Sequence, residues 1–318
     1  MKMTKLIMTE SEIKCMSTIS TEGVTTTIYL ADKTKILAPM IGKTLASLEE
    51  KGFVNISRSG KTKKIALSDS KHALLFRDMS LEFKHIKFEK YLSGSVLEVL
   101  SAIGFLKLAT IKEIHQNCNV SEPSAARTIS KLRKLGVVQK REEGYSISQR
   151  FERLKDFVIE FRHYMNTKSA KNFSKDYVIL WEQNDVFIIE SSTKKGDEGN
   201  FHLTGPSVFG KFGIKLFMTS SYHYHSPREK QRGLEKSIIH TFLIPLSQRV
   251  VLPVLLVWKK NEKKMNKKYL YNTAEKYGTK NRIDEVYKYF ETKGAYKPEY
   301  FPTWKEFASK AKEYGLRV

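Results

Sequence analysis

The side chains able to do metal or acid–base chemistry are few, and their spacing suits that chemistry poorly. His223 and His225 alternate in "SSYHYHS", which on a strand places them on one face, and His240 stands on the segment that follows. Three imidazoles can hold a metal ion, but no carboxylate stands at ligand spacing and no thiol is near. A polar strand end between Tyr222 and Tyr224 is the ordinary explanation, so no metal site is assigned. Asp176 and Asp185 are too far apart for the carboxylate pair of a nucleotidyltransferase, and no Gly-Ser turn precedes them. P-loop, GxSxG and HExxH patterns are also missing. No catalytic residue is named, no cofactor is expected, and an enzyme is not predicted. The aromatic, histidine-bearing stretch leaves room for a small-ligand sensor.

The residue types that do recur are cations on a helix and a hairpin, and they occur twice. "APMIGKTLASLEEKGFVNISRSGKTKKIALS" (38–68) is echoed by "SEPSAARTISKLRKLGVVQKREEGYSIS" (121–148). Pro39/Pro123, Thr44/Thr128, Leu48/Leu132, Gly52/Gly136 and Val54/Val138 match at a constant offset of 84, and Lys43 falls on Arg127. Carried backwards, the offset lays "SEIKCMSTI" (11–19) on "SVLEVLSAI" (95–103), apolar on apolar. Past the hairpin it drops to 78 and lays "RDMSLEFKH" (77–85) on "KDFVIEFRH" (155–163). A repeat this long is a duplicated domain rather than a solenoid unit.

Each copy reads helix, helix, helix, two strands, long helix. In the second, Ser95 with Glu98 and Thr110 with Glu113 stand at capping-box spacing, and Ser121 precedes Pro123 as an N-cap. Ala125, Ile129, Leu132 and Leu135 make one apolar stripe, and Gly136 stops the helix. "VVQK" and "YSIS" form a hairpin around Glu142, Glu143 and Gly144; in the first copy "FVNIS" and "KKIALS" are joined by "RSGKT". The long helices "KHALLFRDMSLEFKHIKFEKYL" (71–92) and "RFERLKDFVIEFRHYMN" (150–166) follow, the first bridging the copies.

This order resembles the winged helix-turn-helix DNA-binding domains of MarR- and ArsR-type regulators, over roughly residues 9–90 and 93–166. A helix placed in the major groove buries one stripe and shows the opposite one to bases and phosphates. The outward positions are expected to be Met40, Lys43, Thr44 and Ser47 in the first copy, and Ser124, Arg127, Thr128 and Lys131 in the second. Arg127 suits bidentate guanine readout, and Lys43 acts as a point charge. Arg58, Lys61, Lys63 and Lys64, with Lys140 and Arg141, suit phosphate or minor-groove contact from the wings. The alternative is that these charges solvate helix faces and the winged helices hold proteins.

From about residue 170 the pattern changes to a hairpin turning at Asn184-Asp185, a turn with a short helix at 207–212, a strand ending near Tyr224, and five helices at about 231–244, 247–259, 266–277, 281–292 and 303–314. "FHLTGPSVFGKFGIKLF", "SPREK", "LEKSIIHTFLI" and "AEKYG" together resemble the C-terminal domain of AbiEi-like regulators, antitoxins of abortive-infection toxin–antitoxin systems. That resemblance implies autoregulated transcription and neutralisation of a toxin, although such antitoxins usually carry one winged helix and this chain has two copies of the unit.

A net charge of +22, half of it within residues 1–168, favours a polyanionic partner, though a lysine-rich host would raise both halves alike. No apolar run reaches the ~18 residues that cross a bilayer, since "RVVLPVLLVW" is short and holds Pro253. Two cysteines make no disulfide framework, and "MKMTKLIMTESE" is no signal peptide, so a cytoplasmic location is expected and no membrane partner. The expectation is a helix-rich α+β chain: winged domains at 1–90 and 91–168, then a domain at 169–318 with a small sheet and a helical bundle. Double-stranded DNA is the expected partner. The last domain takes a ligand, a cognate toxin or other protein, or a second copy of the chain.

Overall fold

The computed structural model describes residues 6–60, 62–193, 195–228 and 233–318, without the side chain of Ser59. The chain is helix-rich α+β and packs as two compact units. One runs to Ser169 and includes Gln183–Asp185; the other comprises Ala170–Glu182 and Val186–Val318.

The first unit begins with α1 (Glu10–Glu22), β1 (Thr25–Thr26), α2 (Thr27–Thr34), α3 (Ala38–Glu50), β2 (Val54–Ser59), β3 (Thr62–Leu67), α4 (Lys71–Glu82) and α5 (Phe88–Tyr91). It continues with α6 (Val96–Leu106), α7 (Ile111–Asn117), α8 (Glu122–Lys134), β4 (Val138–Arg141), β5 (Gly144–Ile147) and α9 (Glu152–Phe173). The repeat is legible in the caps. Thr26 Oγ1 accepts Tyr29 N at 3.3 Å, and 84 residues on Thr110 Oγ1 accepts Glu113 N at 3.2 Å. Glu113 returns to Thr110 N at 2.8 Å, closing the expected capping box. α3 and α8 stop alike: Phe53 N bonds Leu48 O at 2.9 Å and Val137 N bonds Leu132 O at 3.0 Å. Between them Gly52 (φ 73°) and Gly136 (φ 70°) are left-handed, and at Gly52 a side chain would also strike the Tyr164 ring.

Several local expectations are corrected. Ser95 makes no capping bond to α6, because its backbone is not extended (ψ 3°), and the Glu98 carboxylate that would return the second bond of the box turns inward to accept Arg162 Nη2 at 2.7 Å and Leu6 N at 2.6 Å. Ser121 stands at the N-cap of α8 as expected, but its hydroxyl donates to Ser124 Oγ and makes no capping bond to the backbone. The helix expected over 71–92 breaks after Glu82, where Phe83 leaves helical geometry to bury its ring against Phe151, 5.2 Å between centroids. α9 runs seven residues past the expected end at 166, since nothing in "TKSAKNF" breaks a helix. Gly144, read as part of the turn, is the first residue of β5 and pairs with Arg141. A short strand was also missed. β1 pairs with β3 to give the order β1-β3-β2, and the second copy keeps only one bridge there, Ala109 to Tyr145.

The two copies share one apolar cluster. Ile13, Leu45 and Phe76 of the first and Leu100, Ile129 and Phe157 of the second are all buried in it. α9 makes the join, with Phe161 lying 4.8 Å from Phe53 and Phe157 5.4 Å from Phe76.

The second unit holds β6 (Val178–Gln183), β7 (Val186–Ser191), β8 (Phe201–Leu203), a 3-10 segment Gly205–Phe212 and β9 (Ser221–His225). The sheet order is β6-β7-β9-β8, with Phe187 opposite His225 and Ile189 opposite His223. α10 (Leu234–Leu243), α11 (Gln248–Asn261), α12 (Lys267–Lys276), α13 (Lys280–Glu291) and α14 (Trp304–Glu313) follow near the predicted positions. Their core centres on the fully buried Trp258, with Tyr289 and Phe307. Among the described residues no helix is long and apolar enough to cross a membrane.

Candidate nucleic-acid interface

In α3 the stripe Ile41, Leu45, Leu48 faces the core, and this fixes which of the predicted positions face out. Met40 and Lys43 are exposed. Thr44 is not: it lies between Ile41 and Leu48 on the buried side and is 8% exposed. Ser47 sits at the stripe's edge, and its hydroxyl donates to Glu12 Oε1 at 2.6 Å. Thr44 is therefore corrected from groove-facing to buried, and Ser47 to a half-buried position committed to Glu12. Glu12 is itself 2% exposed and takes a second bond from Lys51 Nζ at 2.6 Å, which ties α1 to the end of α3. Sequence reasoning passed over Glu12, although Thr9-x-x-Glu12 has capping-box spacing and forms one.

α8 presents a stronger charge. Arg127 and Lys131 are exposed, while Ser124 and Thr128 are half-buried at the edge of the apolar stripe. Ser130, Arg133 and Lys134 are exposed too and were not predicted; Arg127, Lys131 and Lys134 continue one line at four- and three-residue steps. Arg127 lies along its own helix, with Nη2 donating to Ser124 Oγ at 3.3 Å. Lys131 is partly committed, since its ammonium donates to Lys90 O at 2.9 Å and stands 5.4 Å above the Tyr91 ring.

The hairpins add cations beside these helices. Arg58 and Lys63 are directly opposed on β2 and β3, and Lys64 is opposite Ser57; all three cations are exposed. Like charges opposed on a ladder are unfavourable, so this pair raises the local potential at some expense of stability. Arg58 and Lys63 share the ladder face of Ile56 and Ile65, and with Gly42, Ala46 and Glu49 of α3 they line a cleft of about 250 Å³. Lys61 lies outside the described residues. In the second hairpin Lys140 and Arg141 are exposed, and so are Glu142 and Glu143 at the turn.

The histidines of the second unit are separated by the sheet. His223 and His225 face Phe173, Phe187 and Phe201, with His225 stacked 4.5 Å from Phe187. Tyr224 points the other way, 4.3 Å from the ring of His240, whose Nδ1 lies 2.7 Å from Thr204 Oγ1. Burial pushes His240 down to about 3, so it stays neutral. Among the described residues no group of three or more His, Cys, Asp or Glu side chains is placed to hold a metal. Asp176 is a latch: bonds from the Ser192 hydroxyl, Ser174 Oγ and Ser192 N to its carboxylate hold it down to about 2.

Residues 198–316 match a family model described as HVO_2833_C, C-terminal. The match covers β8, β9 and all five helices of the second unit. No curated protein matches the chain.

Proposed function

We propose that the first unit is a tandem winged helix-turn-helix reader of double-stranded DNA, and that the chain is a cytoplasmic transcriptional regulator whose second unit takes a ligand or partner. One observation carries this reading. Two helices 84 residues apart, α3 and α8, each keep an exposed cation at the same register, Lys43 and Arg127, and each leads into a hairpin with exposed cations. Packing explains none of these side chains, and a major-groove helix flanked by phosphate-contacting strands uses all of them. α8 is the stronger reader, with Arg127 and Lys134 on either side of the partly committed Lys131; the first hairpin is the stronger phosphate clamp, with Arg58, Lys63 and Lys64. The test is selection of duplexes from a random pool by the full chain, followed by titration. Arg127→Ala is expected to weaken the selected site by about 1–3 kcal/mol and relax one base position. Lys63→Ala weakens all duplexes alike and lowers the salt slope by about one ion. Unchanged affinity in both variants would show that these faces do not read DNA.

A second reading has its own support. Val24 (66% exposed), Ile28 (81%), Leu37 (72%) and Met40 (50%) put large apolar groups in water around β1, α2 and α3. Such side chains suit a protein partner, as in an AbiEi-like antitoxin or adaptor. A stoichiometric protein complex lost on Ile28→Ser and Leu37→Ser, in a chain that selects no duplex, would favour it.

A further inference from the structure

We propose that a cleft in the first unit, between the segment joining the two repeat copies and the end of α8, binds a small monocarboxylate with an apolar body. The cleft holds about 370 Å³, at the lower end of the ~300–1,000 Å³ usual for small-molecule sites. Phe88, Leu92, Leu132, Phe151 and Leu154, each 5% exposed or less, form its floor. Lys87, Lys90 and His85, all exposed, stand at its mouth, and no carboxylate lines it. The lining thus has two chemistries: an apolar interior that rewards desolvation of a hydrocarbon or aryl body, and a cationic rim that selects an anionic end. A neutral hydrophobe would leave the rim unanswered, and a cation would be repelled by it.

A polar contact joins the two sides of the cleft. Lys131 reaches from α8 to the carbonyl of Lys90 at 2.9 Å, with its ammonium 5.4 Å above Tyr91. α5, which supplies Phe88, Lys90 and Tyr91, is thereby tied to α8 by a polar strut beside the cleft. Leu135, 36% exposed, closes the rim on the α8 side. A ligand here would touch both α5 and the helix that carries Arg127, so its occupancy bears on whatever α8 recognises.

The probe is 2-naphthoate, with 2-naphthalenemethanol and 2-naphthylmethylamine as neutral and cationic controls, titrated into the full chain by calorimetry. 2-Naphthoate is expected to bind with a micromolar Kd, and the alcohol about tenfold more weakly, the size of two exposed ionic contacts. Lys87→Glu with Lys90→Glu changes only exposed side chains and keeps the Lys90 carbonyl that Lys131 uses. It should cut naphthoate affinity by at least about tenfold and turn the preference to the amine. Leu135→Ser should weaken all three probes alike. The proposal is overturned if naphthoate fails to bind up to about 1 mM, roughly three decades above the micromolar Kd expected. It is equally overturned if alcohol and carboxylate bind equally, or if the charge-reversed chain keeps its preference. Duplex titration with and without naphthoate is a separate arm: its failure bears on the DNA reading and leaves the ligand result standing.

Discussion

Gly42 offers a test in which stability and binding move in opposite directions. It lies inside α3, where glycine is unfavourable relative to alanine by about 0.8–1.0 kcal/mol. No packing need offsets this, since a Cβ built there meets nothing within 4 Å. Gly42→Ala should therefore raise the unfolding free energy of the first unit by roughly 1 kcal/mol, or its Tm by about 2–4 °C for a unit of this size. The same residue lines the cleft between α3 and the cations Arg58 and Lys63. If a nucleic-acid backbone enters that cleft, the added methyl stands in its path. Duplex affinity then falls for Gly42→Ala and falls further for Gly42→Leu, while the helix stays intact. Urea unfolding followed by far-UV circular dichroism reads the first effect, and duplex titration the second. A loss of stability in Gly42→Ala would refute the open-space argument. Undiminished duplex affinity in Gly42→Leu would remove the cleft from the interface.

Other expectations concern the interior. Arg162 and Glu98 are 1% and 3% exposed, and Arg162 Nε also donates to Asn184 Oδ1 at 3.1 Å. Arg162→Met should cost about 3–5 kcal/mol in urea unfolding by stranding Glu98, and adding Glu98→Leu should recover much of the loss. His72 is pushed down to about 4 by burial and is neutral beside Phe161, with its Nε2 3.0 Å from Lys51 O. In the unfolded chain it takes a proton near pH 6.5, so its contribution is whole above that pH and is lost as pH falls toward 4. His72→Phe should flatten unfolding stability in that window, and an unchanged profile would assign the acid sensitivity elsewhere. The buried Cys15 thiol is pushed up to about 11. Together with buried Cys118, it should resist a disulfide reagent at pH 8 until the chain is unfolded, and fast labelling of the native protein would contradict its burial.

Local physics made much of this chain readable. The offset between Gly52 and Gly136 is visible in the sequence because a helix stop needs a left-handed residue, whatever surrounds it. The Thr110 capping box was readable for the same reason: its partner lies three residues away. Arg127 and Lys43 could be placed on an outer face because the apolar stripe of each helix defines the opposite one.

Tertiary structure decided what depends on distant partners. Glu98 has capping spacing with Ser95, but a buried arginine 64 residues away outcompetes a surface cap, since a charge-assisted bond in the interior is the stronger one. Thr44 looks outward on a polar reading of α3, yet the core wraps far enough around the helix to cover it. Asn184 reads as the tip of a hairpin in the C-terminal half. In the folded chain it belongs to the first unit, where its side chain accepts from Ser101 and Arg162 and its carbonyl accepts from Asn166. No sequence spacing announces such a site. It exists because a buried guanidinium needs acceptors, and only the assembled core determines which part of the chain supplies them.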